Sequence, residues 1–302
     1  MATSSRPAPD RKRVLAVFGP TASGKTAVAG VLRERLGAEV ISADSAALYD
    51  GLPILTAAPG YPARLVGVVP LQDEMSVGSY QRLAHAAVDK AAVPLVVGGT
   101  GLYFRAALAA LELPPPGERR AFWEAEYDRL AAEGAHALLD ERDPAAAARV
   151  HPNDRKRVVR ALELAEVGES LAPSTNRLWT EETRLPTTIV AVDLPLPELD
   201  RRIERRTREM VERGVVDEAR AAWAAPHSTT AGQVLGLEEF ATLPVEEAVE
   251  RVAHATRRLA RYQRKWLRRM PGVVTLDGDR PAEEIADEIV ALERARERLP
   301  RH

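Results

Sequence analysis

Gly19-Pro20-Thr21-Ala22-Ser23-Gly24-Lys25-Thr26 follows directly on the apolar run Val14–Phe18. Glycines let such a loop wrap closely around an anion, and the loop amides and the N-terminus of a helix over Lys25–Leu36 then point at it. Lys25 adds a mobile positive charge, and the Thr26 hydroxyl can reach a Mg²⁺ ion. Strand, glycine-rich turn and helix in this order read as a P-loop for a di- or triphosphate. The motif does not name the reaction.

Three further groups could work on such an anion. Asp44, in Val40-Ile41-Ser42-Ala43-Asp44-Ser45, closes what reads as the second strand of a parallel sheet, at the edge where ligands bind. It is open to it to be a general base, a Mg²⁺ ligand through water, or an N-cap of the next turn. The strand Pro94–Val97 runs into Gly98-Gly99-Thr100-Gly101. Many P-loop ATPases carry an aspartate at such a strand end, so glycines and a threonine weaken a kinase or ATPase reading and imply close approach of backbone to substrate. Thr100 can donate to a phosphate oxygen or serve as a turn hydroxyl. The third group is basic: seven bases and no acids fill the thirteen residues from Arg257 to Arg269, and Arg155, Lys156, Arg157 and Arg160 form a smaller cluster. On a chain of net charge −2, such clumping points either to a polyanionic partner or to a solvated helix face balanced by packed acids.

The elements that must position these groups follow from pattern. Short apolar runs at Val14–Phe18, Glu39–Ile41, Leu65–Val69, Leu95–Val97, Thr188–Val192 and Val273–Leu276 are the expected strands. Lys25–Leu36 and Ser79–Lys90 read as helices, giving an α/β, P-loop NTPase-like parallel sheet flanked by helices. After the turn-rich Leu113–Gly117, Glu118–Glu133, Ala135–Asp140, Pro144–Val150 and Asn153–Gly168 read as helices uninterrupted by strands, so residues 113–185 form an all-helical insertion domain. The core domain is expected over 14–112 and 186–302, with Met1–Arg13 a disordered leader. At 302 residues, 45% hydrophobic and 28% charged, the chain can bury a proper core. It has no apolar run long enough for a membrane span. It lacks cysteine, which excludes disulfides and fits a reducing cytoplasm.

Several segments, in order, resemble one family. GPTASGKT at Gly19–Thr26, Ile41–Ser45, Val97–Tyr103, His151-Pro152-Asn153-Asp154 with Arg157, Arg160–Glu163, and Ala255–Ala260 with Gln263, Trp266 and Arg268 are similar to the tRNA dimethylallyltransferases. The resemblance spans about Val14 to Leu276. It implies that the P-loop holds dimethylallyl diphosphate, with Mg²⁺, and that the exocyclic amine of the adenosine beside the anticodon attacks the allylic carbon. Asp44 would take the amine's proton and Thr100 would lie beside the reacting centre. Arg202 or Arg206 would grip the diphosphate, unless both belong to a salt-bridged surface helix. The insertion would clamp the anticodon stem-loop. Lys156, Arg157, Arg160, Arg257, Arg261 and Arg120 would face RNA phosphates. Asp44, Ser45, Ala46 and Ala47, together with Gly232, Gln233 and Gly236, match segments lining the channel for the flipped adenosine. A cytoplasmic monomer without membrane contact is expected.

The chain also departs from that pattern. Ala46-Ala47-Leu48-Tyr49 stands where Met-Gln-Val-Tyr is usual, Leu55-Thr56-Ala57-Ala58-Pro59 loses a lysine, and Ala63-Arg64-Leu65-Val66-Gly67 loses a histidine and an aspartate. Gly236-Leu237 replaces a common Gly-Tyr, and Tyr262 stands where a base often precedes Gln263. The diphosphate machinery is intact, so the acceptor is the less determined partner. The alternatives are prenyl transfer to free AMP, ADP or ATP, a divergent paralogue with an altered acceptor, a small-molecule kinase, or an RNA-binding protein that has lost its chemistry.

Overall fold

Strand β1 (Val14–Phe18) is buried along its whole length. A strand inside a parallel sheet is covered on both faces and has no polar side to show. In the computed structural model, residues 12–113, 119–172 and 177–298 are described. The expected leader up to residue 11, residues 114–117 of the turn-rich stretch and Glu118 lie outside them. After β1 come α1 (Lys25–Leu36), β2 (Glu39–Ala43), β3 (Ala63–Arg64), α2 (Val77–Lys90), β4 (Pro94–Gly98) and α3 (Gly101–Leu108). Helices α4 (Arg120–Arg142), α5 (Pro144–Ala147) and α6 (Arg155–Glu166) follow, then a 3-10 turn over Arg177–Trp179 and β5 (Thr187–Asp193). The remainder is α7 (Leu196–Glu212), α8 (Val215–Ala224), α9 (Thr229–Gly232), α10 (Leu237–Thr242), α11 (Val245–Leu267), β6 (Val274–Asp277) and α12 (Ala282–Arg298).

The chain divides into two compact units. One runs up to Ala110 and resumes at Leu178; the other is Leu111–Arg177. Residues 178–185, grouped above with the insertion, thus fall in the first unit. The first unit holds a single sheet in the order β3-β2-β4-β1-β5-β6, with every pairing parallel. On one face Leu15, Val17, Val40, Leu95, Val97, Val190 and Val192 pack on Val28 and Leu32 of α1 and Ile285 and Ile289 of α12. Leu32, Leu95 and Ile289 are fully buried, each worth about 1.5–3 kcal/mol over exposure, so α1 is held rigidly beneath the loop it follows. On the opposite face Phe18 meets Phe104 edge-on, with ring centres 5.1 Å apart. There Tyr80 of α2 donates to the Ser42 carbonyl at 2.9 Å.

Two elements differ from expectation. The strand expected over Leu65–Val69 is instead Ala63–Arg64. Leu65 takes a left-handed φ of +62° and Gly67 one of +59°, which ends the ladder; the amides of Gly67 and Val68 turn to the Ala47 and Leu48 carbonyls. Helix α12 is not among the expected elements, yet it supplies half of the cover on one sheet face. Its signal was local: Glu283 and Glu284 in the first turn and apolar residues at 285, 286 and 289.

The second unit is helical. Its core gathers Trp123, Tyr127, Leu139, Val158, Val159 and Leu162 from α4 and α6. The two helices expected before Asp140 adjoin within α4, separated by the non-helical Ala131, whose φ is +56°. Asp143 caps α5 by accepting from the Ala146 amide, and Asp154 caps α6 by accepting from Arg157.

Candidate active site

The β1–α1 turn has the shape its glycines require. Gly24 caps α1 at φ +94°, a conformation that only glycine adopts freely. A Cβ on Gly19 would lie 2.5 Å from the Val192 carbonyl and 2.6 Å from Ser23 Oγ, so the loop can enter this close to β5 only with glycine there. Ala22 holds a left-handed φ of +64° without being glycine, and its methyl packs against Ile203, Ala253 and Ala260. Pro20 accepts from Lys25 Nζ through its carbonyl at 3.2 Å. Ser23 is fully buried, and its hydroxyl has no hydrogen-bond partner among the described residues.

Above the loop lies a cleft of about 440 Å³, at the carboxyl ends of the strands, where open α/β sheets bind ligands. Thr21, Ala22, Gly24, Lys25, Thr26, Asp44, Ala47, Arg202 and Arg206 all border it. Burial depresses the Lys25 ammonium from 10.5 to about 8; the Asp44 carboxylate opposes that shift and the Arg206 guanidinium adds to it. Burial likewise lowers Arg206, again against the pull of Asp44. Two cations crowded into a partly desolvated cleft are the electrostatic complement of a polyanion.

Of the two candidate arginines, Arg206 is the one aimed into the site: its Nη1 donates to Thr21 Oγ1 at 3.1 Å. Arg202 borders the cleft but pairs with Glu198 and Asp279, each at 2.8 Å. Asp44 Oδ1 accepts from the Ala46 amide at 3.0 Å; its other oxygen has no hydrogen-bond partner among the described residues. Thr100 is the N-cap of α3 yet makes no side-chain cap. Its hydroxyl instead receives the Ser45 amide at 3.3 Å and so joins the β4–α3 turn to the residue after Asp44.

Ala47, Ala58 and Ala63, three of the positions that depart from the family pattern, border this same cleft, beside Ala57 and Val66. Small apolar side chains thus make up one part of its lining, alongside the polar Ser42, Thr56 and Tyr61. Gly232, Gln233 and Gly236 do not border it. Gly236 caps α10 at φ +93° against Leu55 and Val252. The turn before it is tied down by Glu74, which accepts from the Thr229 amide at 2.8 Å.

The basic residues divide by partner. In the first unit Arg257 pairs with Glu204 at 3.3 Å, Arg261 with Asp200 at 3.1 Å and Arg264 with Asp193 at 2.9 Å. Arg258, Lys265 and Arg268 are exposed and have no ion-pair partner among the described residues. In the second unit Arg120 pairs with Glu124, Arg157 with Asp154 and Arg160 with Glu163; Lys156 lies in the first turn of α6.

Two residues beside the loop are tied to it by contacts that no local pattern announces: Tyr61, which the sequence did not single out, and Gln263, known there only as part of the C-terminal motif. Tyr61 donates to the Thr26 carbonyl at 2.8 Å, its phenol pushed up to about 12 by burial. Gln263 of α11 accepts from the Thr21 amide at 2.7 Å. Neither contact is local: the partners lie 35 and 242 positions away.

Fold and cleft together define an α/β protein with a parallel sheet and a P-loop-like turn that opens on a cationic cleft. The family model described as IPP transferase matches residues 47–270, and the chain belongs to that family. A tRNA dimethylallyltransferase of Anaeromyxobacter dehalogenans is 42% identical over 281 residues, which cover 87% of this chain and 94% of that protein. One of Streptomyces griseus is 39% identical, covering 88% and 90%. Among solved structures, the tRNA isopentenylpyrophosphate transferase of Bacillus halodurans superposes with a TM-score of 0.67 at 29% identity, covering 95% of this chain and 99% of that one.

Proposed function

We propose that the chain transfers the dimethylallyl group of dimethylallyl diphosphate to the N6 amine of the adenosine 3′ to the anticodon in tRNA, releasing diphosphate. The observation that carries this reading is the convergence of Lys25, Arg206, the loop amides and Asp44 on one cleft in a chain about 40% identical to curated tRNA dimethylallyltransferases over most of its length. The loop amides, Lys25 and Arg206 bind the diphosphate and neutralise charge on it as the allylic C–O bond breaks and its electron pair leaves with the diphosphate. The amine nitrogen forms the new bond to that carbon, and Asp44 accepts the proton it sheds. Thr100 fixes the backbone beside Asp44, and the Ala47, Ala58 and Val66 wall excludes water from the allylic centre.

The donors fit a magnesium ion carried chiefly by the substrate. Thr26 borders the cleft, and no cluster of three or more metal-ligating side chains occurs among the described residues, as suits a Mg²⁺ held by one protein oxygen plus phosphates and water. Such an ion, when bound, would further neutralise the leaving diphosphate. Every group named lies in one chain, so a monomer suffices. No helix among the described residues is long and apolar enough to cross a membrane; a cytoplasmic site of reaction is part of this proposal and rests on tRNA as the acceptor.

The deciding assay incubates the full chain with Mg²⁺, labelled dimethylallyl diphosphate and either unmodified tRNA or AMP. Label in tRNA at the adenosine beside the anticodon is the expected result; label in AMP alone overturns the acceptor assignment.

The titration of Lys25 sets the alkaline limb. The donor binds the protonated lysine, so kcat/KM for dimethylallyl diphosphate falls as pH rises through about 8, the depressed value in the free protein. The stability contribution has the opposite sign. Between about 8 and 10.5 the unfolded chain holds the proton and the native one does not, so stability rises across that window. Lys25→Arg should abolish the alkaline limb; a limb that persists would assign it elsewhere.

Arg269 lies over the Trp179 ring. On α11 and just past its end, Arg258, Lys265 and Arg268 are exposed cations without an ion pair among the described residues, offered to RNA phosphates in place of the paired Arg257 and Arg261. Changing all three to glutamine should lower the slope of log Kd for tRNA against log salt by about 2. An unchanged slope would place this face outside the RNA interface.

A further inference from the structure

One polar contact to the P-loop is unused by the mechanism above. Gln263 is 4% exposed, and its Oε1 accepts from the Thr21 amide at 2.7 Å. The nitrogen of the same amide abuts the β4–α3 turn, where a Cβ on Gly99 would lie 2.7 Å from its Nε2 and 2.7 Å from the Gly19 carbonyl. One side chain thus fills the space between the two glycine-rich turns that form the floor of the cleft. The neighbouring Ala22 is fixed by the same helix, its methyl set against Ala253 and Ala260 of α11 and Ile203 of α7.

Burying a primary amide is unfavourable unless its hydrogen bonds are made, and an apolar side chain of the same length would fill the space without that penalty. Thr21 is also where Arg206 anchors. The residue at the loop's turn therefore donates one bond through its backbone amide to α11 and accepts one through its hydroxyl from α7. Ala22 and Gly24, which follow, both hold left-handed backbone, which an unrestrained loop would leave readily.

We propose that Gln263 is a positioning residue that holds the P-loop, through the Thr21 amide, in the shape that binds the donor diphosphate, and keeps it in register with the Gly98–Thr100 turn. This rests on the donor-site reading above. Prefixing the loop removes part of the ordering cost of anion binding, so loss of the bond should appear as donor affinity, with acceptor affinity and folding spared.

The test titrates Mg²⁺-diphosphate calorimetrically into the full chain, wild type, Gln263→Met and Gln263→Glu, alongside steady-state transfer from dimethylallyl diphosphate to tRNA and thermal unfolding. Gln263→Met should raise the diphosphate Kd and the donor KM about tenfold, leaving KM for tRNA and the unfolding midpoint near wild type. Gln263→Glu keeps an acceptor for Thr21 but sets a titratable carboxyl beside the anion. Its loss relative to wild type should therefore be larger at about pH 8 than at about pH 6, where the buried acid is protonated. A packing role alone predicts a loss independent of pH, so this ratio decides the matter if Gln263→Met folds poorly.

Unchanged diphosphate affinity in Gln263→Met overturns the inference. So does an equal rise in both KM values with a lowered midpoint, or a pH-independent loss in Gln263→Glu. A wild-type chain that binds no diphosphate overturns the donor-site reading itself, and this inference with it.

Discussion

Asp44→Ala should lower the rate of prenyl transfer by about 10²–10⁴-fold, the range of a positioned general base, while dimethylallyl diphosphate still binds. An aryl amine is a weak nucleophile, and it becomes competent only if its proton leaves as the bond forms. Asp44 stands one residue beyond β2 with one oxygen held by the Ala46 amide and the other without a hydrogen-bond partner among the described residues, so it has an acceptor available to the amine. The bland alternative, a carboxylate that merely caps the following turn, is separated by Asp44→Asn. That variant keeps the bond from Ala46 but accepts no proton. Single-turnover transfer of labelled donor to tRNA should be slowed as much in the asparagine as in the alanine variant; an asparagine variant that turns over like wild type would reduce Asp44 to a turn residue. Because the Asp44 carboxylate raises Lys25, either variant should also move the alkaline limb of donor binding to lower pH.

Lys25→Ala should weaken dimethylallyl diphosphate binding by about 10²-fold or more, the scale of one preorganised donor in a water-poor site, with tRNA affinity little changed. The sign of its effect on folding separates this from a general loss of structure. In the free protein Lys25 is penalised by burial and repelled by Arg206, so removing its charge relieves an unfavourable contact and the unfolding midpoint should hold or rise. Sites preorganised for an absent ligand commonly trade stability for binding in this way. Isothermal titration with diphosphate and a thermal melt on the same samples read both quantities. Retained affinity, or lost affinity with a lowered midpoint, would count against Lys25 as the diphosphate cation.

Determined by the sequence alone were the parts that rest on short-range backbone chemistry. A glycine-rich turn between a buried strand and a helix needs only eight contiguous residues, and Gly19–Thr26 supplies them; Asp44 follows because it ends the next strand. The alternation of apolar runs and helices gave the parallel sheet, since strands covered on both faces cannot hide their composition. Family membership was legible for a related reason: its motifs recur in a set order along the chain. Tertiary structure decided the rest. Arg202 and Arg206 sit one helical turn apart on α7 with the same local character, and only the placement of Thr21, Glu198 and Asp279 shows that Arg206 enters the cleft while Arg202 is bound at its rim. The basic run on α11 reads as a single patch until the acids of α7 take Arg257 and Arg261 and leave Arg258, Lys265 and Arg268 outward. The strand expected beyond Arg64 ends because Leu65 and Gly67 turn left-handed to satisfy the 47–48 segment. The bond from Thr21 to Gln263 spans 242 positions. No local pattern encodes such a pair, because which distant side chain meets a given amide is settled only when the helix carrying it packs onto the sheet.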